Sequence, residues 1–201
     1  MCNTTVYEYY LQAKAKSFEW DYSLLFSMVE IARQKHRSPV LQRQQHTVDR
    51  YQEASKKFSS AEEMVLTNEF HNDPTKRTLL VPNRFGITVS DCDHLVWWDR
   101  DGNEKTNDVR LNCASENILS QFPFGHRFLI FTNPKVAKSV PSLYHLHVFV
   151  KRQMDLEESK IDFLYEFEDE LFEEECHEIY VERIGNDENP FSNKSYSRQL
   201  S

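Results

Sequence analysis

Glycine is scarce in this chain: only 4 occur among 201 residues, at positions 86, 102, 125 and 185. A loop that cradles phosphate through backbone N–H groups needs several glycines within a few residues, so P-loop and dinucleotide-fold readings are excluded. Positive charge is in deficit. Lys and Arg number 24 against 32 Asp and Glu, for a net charge of −8. A protein that neutralises a nucleic-acid backbone clusters cations instead, so DNA and RNA are not expected partners. Long apolar runs are missing, so no bilayer-spanning segment and no membrane partner are expected. Cysteine is sparse as well. Cys2, Cys92, Cys113 and Cys176 lie far apart with no CxxC pair, which disfavours a cysteine zinc site. The first residues carry no apolar core of the signal-peptide type. The expectation is a soluble protein of cytosol or nucleus with reduced thiols and no cofactor.

Aromatic residues are plentiful. There are 14 Phe, 9 Tyr and 3 Trp, and hydrophobic residues make up 39% of the chain. That content supports one domain with a real core rather than a disordered chain.

Apolar residues from Trp20 to Ala32 recur mostly at helical spacing, which predicts a helix from about Ser17 to His36. Ser38 followed by Pro39 reads as the start of a second, polar helix running to about Phe58. Ser60 and Glu63 read as a capping box opening a short third helix through about Phe70. After the turn signal His71–Pro74, strands dominate: Arg77–Val81, extended or followed by Phe85–Val89, and His94–Trp98. The run Asp99–Asn103 has hairpin-turn composition, with Val109–Leu111 as a possible return strand. Ser115–Phe122 suggests a short helix. Two apolar β-type runs, Phe128–Thr132 and Tyr144–Val150, follow as expected neighbours. From Asp155 to Glu175, carboxylates mix with apolar residues in a pattern that suits an amphipathic helix, and its charges read as a solvated face. Residues 185–201 are polar and read as a disordered tail. Helical and strand signals are segregated, so the expected fold is α+β: N-terminal helices on an antiparallel sheet, with an acidic C-terminal helix over 155–184.

Candidate chemistry concentrates in Tyr144–Val150. Side chains two apart on a strand share a face, so His145, His147 and Phe149 line one side and Tyr144, Leu146, Val148 and Val150 the other. Two imidazoles side by side can form a catalytic pair, a metal site or an inert polar patch. His94, Asp93 or His126 are candidate third metal ligands. Asp91 and Asp93 offer paired carboxylates. Trp97 and Trp98 offer a stacking surface for a sugar or base, one of them in the core and the other near a surface.

Several blocks together resemble a known family: Arg37-Ser38-Pro39, Asp93–Trp98, Asn133-Pro134, Ser139-Val140-Pro141 and His145–Phe149. Over most of residues 17–152 the chain resembles the mostly fungal family of unknown function that includes the N-acetylglucosamine-induced protein. That resemblance implies a binding or nutrient-response protein and assigns no catalytic residue. More distantly, the segment is similar to histidine-triad nucleotide hydrolases and transferases. This second similarity implies His147 as nucleophile beside His145, with Asn133 and Ser139 binding a nucleotide or nucleotide sugar; Trp97 is the stacking candidate taken from the sequence itself. The pattern departs from that motif at two places. Phe149 occupies the third histidine position, and extra residues separate Ser139-Val140 from His145.

Overall fold

The computed structural model describes residues 20–34, 43–133 and 138–167. Among these it is an α+β fold built on one five-stranded sheet of order β1-β2-β4-β3-β5. The strands are β1 (Thr78–Pro82), β2 (Asp93–Asp99), β3 (His126–Thr132), β4 (Tyr144–Arg152) and β5 (Lys160–Glu166). The helices are α1 (Tyr22–Gln34), α2 (Gln45–Ser55), α3 (Ala61–Asn68) and α4 (Asn107–Gln121), with a short 3-10 turn at Gly102–Glu104. β1, β2, β4 and β3 pair antiparallel in that order, and β5 joins the β3 edge in parallel.

The sheet separates two aromatic-rich layers because strand side chains alternate. On one face, Phe131 and Phe149 pack beneath Leu25, Met28 and Val29 of α1. On the other, Trp97, Leu146 and Val148 pack against Ala114 and Ile118 of α4. A third cluster lies on the α1 side, where Val96 and Trp98 meet Val65 of α3 and Phe70. Full burial of one such side chain contributes about 1.5–3 kcal/mol. The faces predicted for Tyr144–Val150 are those observed.

The N-terminal helices precede the sheet as expected, with differences of detail. α2 begins at Gln45, after Gln44 in an extended conformation; the Ser38-Pro39 start lies outside the described residues. At α3, Ser60 accepts a hydrogen bond from the Glu63 N–H at 3.0 Å. Glu63 reaches back to the N–H of Ser59 rather than Ser60. Phe85–Val89 is not a strand; it forms a turn, and Val89 makes one bridge with Trp20.

Two expectations are overturned. Asp99–Asn103 makes no hairpin. The buried Asp99 carboxylate accepts from the Asp101 N–H at 3.0 Å and holds Lys105 at 2.6 Å, which bends the chain into the 3-10 turn and on into α4. Val109–Leu111 is accordingly helical and α4 starts at Asn107, well before Ser115. The acidic segment is a strand where it is described, at Lys160–Glu166. Its carboxylates are paired inside the fold. Asp162 accepts from Arg127 at 2.6 Å and from the Tyr22 hydroxyl at 2.8 Å. Glu166 accepts from Arg110 at 2.8 Å and from the Tyr144 hydroxyl at 2.9 Å. The remainder of the expected helix and the 185–201 tail lie outside the described residues.

Candidate functional site: a histidine-lined pocket

β2 and β4 pair so that Val96 faces His147 and Trp98 faces His145, while His94 lies opposite Phe149. His94, Val96 and Trp98 therefore share the sheet face that carries His145 and His147. The His94 ring stacks on Phe149 with centroids 4.0 Å apart. It thereby occupies the space above the position where the alternating-histidine pattern lapses. Gly86 makes this possible, because a Cβ at that position would overlap the His94 ring.

The three imidazoles are held in defined tautomers by groups whose roles are fixed. The Phe85 N–H donates to Asn83 Oδ1 at 3.2 Å, which orients the Asn83 amide. Asn83 Nδ2 then donates to His94 Nε2 at 3.1 Å, and His94 Nδ1 faces the Ile87 carbonyl at 3.4 Å. His94 is thus the Nδ1–H tautomer with Nε2 as acceptor. That acceptor also takes the Nδ1–H of His147 at 3.1 Å. His147 Nε2 is in turn an acceptor, met by Asn133 Nδ2 at 3.4 Å. His145 donates from Nδ1 to the Leu143 carbonyl at 3.0 Å, leaving its Nε2 unprotonated.

All three rings are uncharged at neutral pH. Burial pushes His94 down to about 3 and His145 down to about 4. His147 is held well below the ordinary histidine range, by burial first and then by neighbouring His94, His145, Arg43 and Lys138. A low-dielectric setting disfavours the imidazolium, and nearby cations add to the effect.

The rings wall a pocket of about 370 Å³ together with Arg43, Asn83, Asn133, Lys138 and Ser139. Among the described residues no Asp or Glu lines it. Arg43 stands 5.3 Å over the Tyr51 ring and has no carboxylate partner among the described residues. Burial lowers its pKa from the ordinary arginine value.

Of the residues singled out in the sequence, His145, His147, Asn133 and Ser139 meet in this pocket. Trp97 does not. It is fully buried on the opposite face, where its Nε1–H donates to Asn117 at 3.2 Å. Alternation along β2 puts Trp98 on the pocket side instead, with its ring 4.7 Å from His145. Asp91 is structural: it accepts from the Tyr22 N–H at 2.7 Å and from Lys151 at 2.7 Å. His126 is remote, at the far end of β3, and its Nδ1 faces the Phe124 carbonyl. Among the described residues no three His, Cys, Asp or Glu side chains are arranged to hold a metal ion. Of the candidate third ligands, His94 is the one that reaches the histidine pair, through His147 at 3.1 Å; Arg43 was not expected in the pocket. Only the strand register, together with the turn from Asn83 to Gly86, brings His94 there.

No family model matches the chain, and no curated relative does. Among solved structures, a chain titled "Crystal Structure of HTC1" is similar at 19% identity with a TM-score of 0.42. That likeness covers 66% of this chain and 85% of the other, and nothing is inferred from it.

Proposed function

We propose that the protein binds a phosphorylated small molecule in this pocket, a nucleotide or nucleotide sugar, in the cytosol or nucleus. One observation carries the reading. In a chain of net charge −8, the described residues lining this pocket include Arg43, Lys138 and three uncharged imidazoles and no carboxylate. Two cations lining one pocket favour an anion, and the planar guanidinium of half-buried Arg43 offers phosphate oxygens paired, charge-assisted hydrogen bonds. Calorimetric titration with ADP, UDP-glucose and inorganic phosphate tests it. Binding that weakens at least about tenfold in Arg43→Ala supports the reading. No binding by any of the three would remove it. A role in the response to sugar or nutrients, which resemblance to the N-acetylglucosamine-induced family implies, is compatible with such a binding protein.

A second reading is nucleotidyl hydrolysis or transfer through His147. The tautomer favours it, since His147 Nε2 carries a lone pair and its Nδ1–H is held by His94. In such a step Nε2 attacks the α-phosphorus, the bond from phosphorus to the leaving oxygen breaks, and water later hydrolyses the phosphorus–nitrogen bond. The Asn133 amide, at 3.4 Å, has to move off Nε2 first. Release of nucleoside monophosphate that disappears in His147→Ala, with ligand binding retained, is the signature of this chemistry. Metal binding through His145 and His147 is a third reading, tested by elemental analysis of the purified protein.

A further inference from the structure

The polar lining of the pocket is of two kinds. Arg43 and Lys138 bring positive charge. The histidine wall brings acceptors. His145 donates from Nδ1 to the Leu143 carbonyl, so its Nε2 holds a lone pair, and no donor among the described residues meets that atom. His147, whose ring lies 5.7 Å from that of His145, holds another lone pair on Nε2. The Asn133 amide meets it only across 3.4 Å, a stretched bond. At its other end the same amide is worse placed: Asn133 Oδ1 is buried and accepts nothing among the described residues. One side of the cavity is therefore rich in acceptors and short of donors.

From this we infer that the phosphate of the ligand carries a polyhydroxylated group, a sugar ring, whose hydroxyls donate to the histidine wall. The inference rests on the phosphate-binding reading above and deepens it. An ionised phosphate oxygen is an acceptor only, and the lone pair of an uncharged imidazole repels it. The anionic head therefore belongs at Arg43 and Lys138, and the atoms opposite require O–H or N–H donors. Acceptors left unmet in a buried setting are costly, and a hydroxyl on His145 Nε2 removes that cost. A second hydroxyl on His147 Nε2 displaces Asn133 from its stretched bond and frees the amide to turn Oδ1 towards the ligand. The smaller adjoining compartment, about 170 Å³, shares His145 and His147 as walls and adds Tyr51, Asn68 and Glu69. A carboxylate on that side disfavours a second anion and accepts from a hydroxyl.

The test compares three probes by calorimetry on the full chain: inorganic phosphate, cyclohexyl phosphate and glucose 1-phosphate. The last two have six-membered rings of similar size and differ in their hydroxyls. Glucose 1-phosphate should bind at least about tenfold more tightly than cyclohexyl phosphate. His145→Phe keeps a ring beside Trp98 and removes the acceptor, so it should narrow that difference by weakening glucose 1-phosphate alone. Should that variant fail to fold, the nitrogen resonance of His145 Nε2 in the wild type decides. Glucose 1-phosphate should move it to lower frequency, as acceptance of a hydrogen bond does, and cyclohexyl phosphate should not. Cyclohexyl phosphate bound as tightly as glucose 1-phosphate, or a His145 Nε2 resonance that glucose 1-phosphate leaves unmoved, would overturn the inference while leaving the phosphate site standing. Failure of all three probes to bind would remove the phosphate-binding reading and this inference with it.

Discussion

His147 Nδ1 donates to His94 Nε2 across 3.1 Å, joining two strands through a pair of uncharged imidazoles. The bond exists only while the acceptor nitrogen is unprotonated. His94 in turn is oriented by Asn83 and by the Ile87 carbonyl. A chain of fixed donors and acceptors thus leads from the backbone to His147 Nε2, and the pocket's hydrogen-bonding character depends on it.

Stability should therefore fall in mild acid. The three histidines have folded-state pKa values below the unfolded value, so the unfolded chain binds more protons as pH drops. Their contribution is complete above the unfolded value of about 6.5 and is lost as pH falls towards about 4, where His145 titrates in the folded state. For His145, which is 4% exposed, the loss approaches about 1.4 kcal/mol per pH unit below 6. Urea unfolding at pH 7, 6 and 5 should show this decline. His145→Asn should flatten it; an equally steep decline in that variant would place the titration elsewhere.

Gly86 is required for space, since its neighbour is the His94 ring. Gly86→Ala should displace that ring and weaken its bond to His147. The expected cost is about 1–3 kcal/mol in urea unfolding, in line with overpacking. Affinity for ADP should fall in parallel. Normal affinity in a stably folded Gly86→Ala protein would show that His94 does not shape the pocket.

Arg110 and Glu166 form a nearly enclosed pair at 2.8 Å, each side chain 15% exposed, with the Tyr144 hydroxyl on the same carboxylate. Arg110→Ala leaves Glu166 uncompensated and should cost about 3–5 kcal/mol. The double variant Arg110→Met with Glu166→Leu should recover most of that loss. Thermal melts of the wild type, Arg110→Met, Glu166→Leu and the double variant measure the coupling.

The fold class was legible because Trp20–Ala32 has helical spacing and Tyr144–Val150 alternates strictly. The alternation also placed His145 and His147 on one face, and the resemblance to histidine-triad proteins named Asn133 and Ser139, which line the same pocket. Two kinds of information were hidden. Lys160–Glu166 has apolar residues that satisfy both a helical and a strand period, and its acidic residues hide their partners, Arg127 and Arg110, which are remote in sequence. The site's third histidine, His94, is in the sequence only one of three candidate third ligands, with Asp93 and His126, and the sequence has no means to choose among them. His94 enters through pairing of β2 with β4, and pairing register is a property of two segments rather than one. Trp97 was named as a binding residue, but it is buried on the opposite face of the sheet: the Asp93–Trp98 block does not say which of two adjacent tryptophans turns inward to α4.

The most direct test is a titration of AMP into the labelled protein, followed through the imidazole nitrogen and carbon-bound proton resonances of its histidines. His94, His145 and His147 should shift together and saturably, while His46, His71 and His126, which lie outside the pocket, stay still. The shifts should vanish in Arg43→Ala. Unmoved resonances for the three pocket histidines, or shifts confined to the outlying ones, would contradict the assignment of this pocket as a phosphate-ester site.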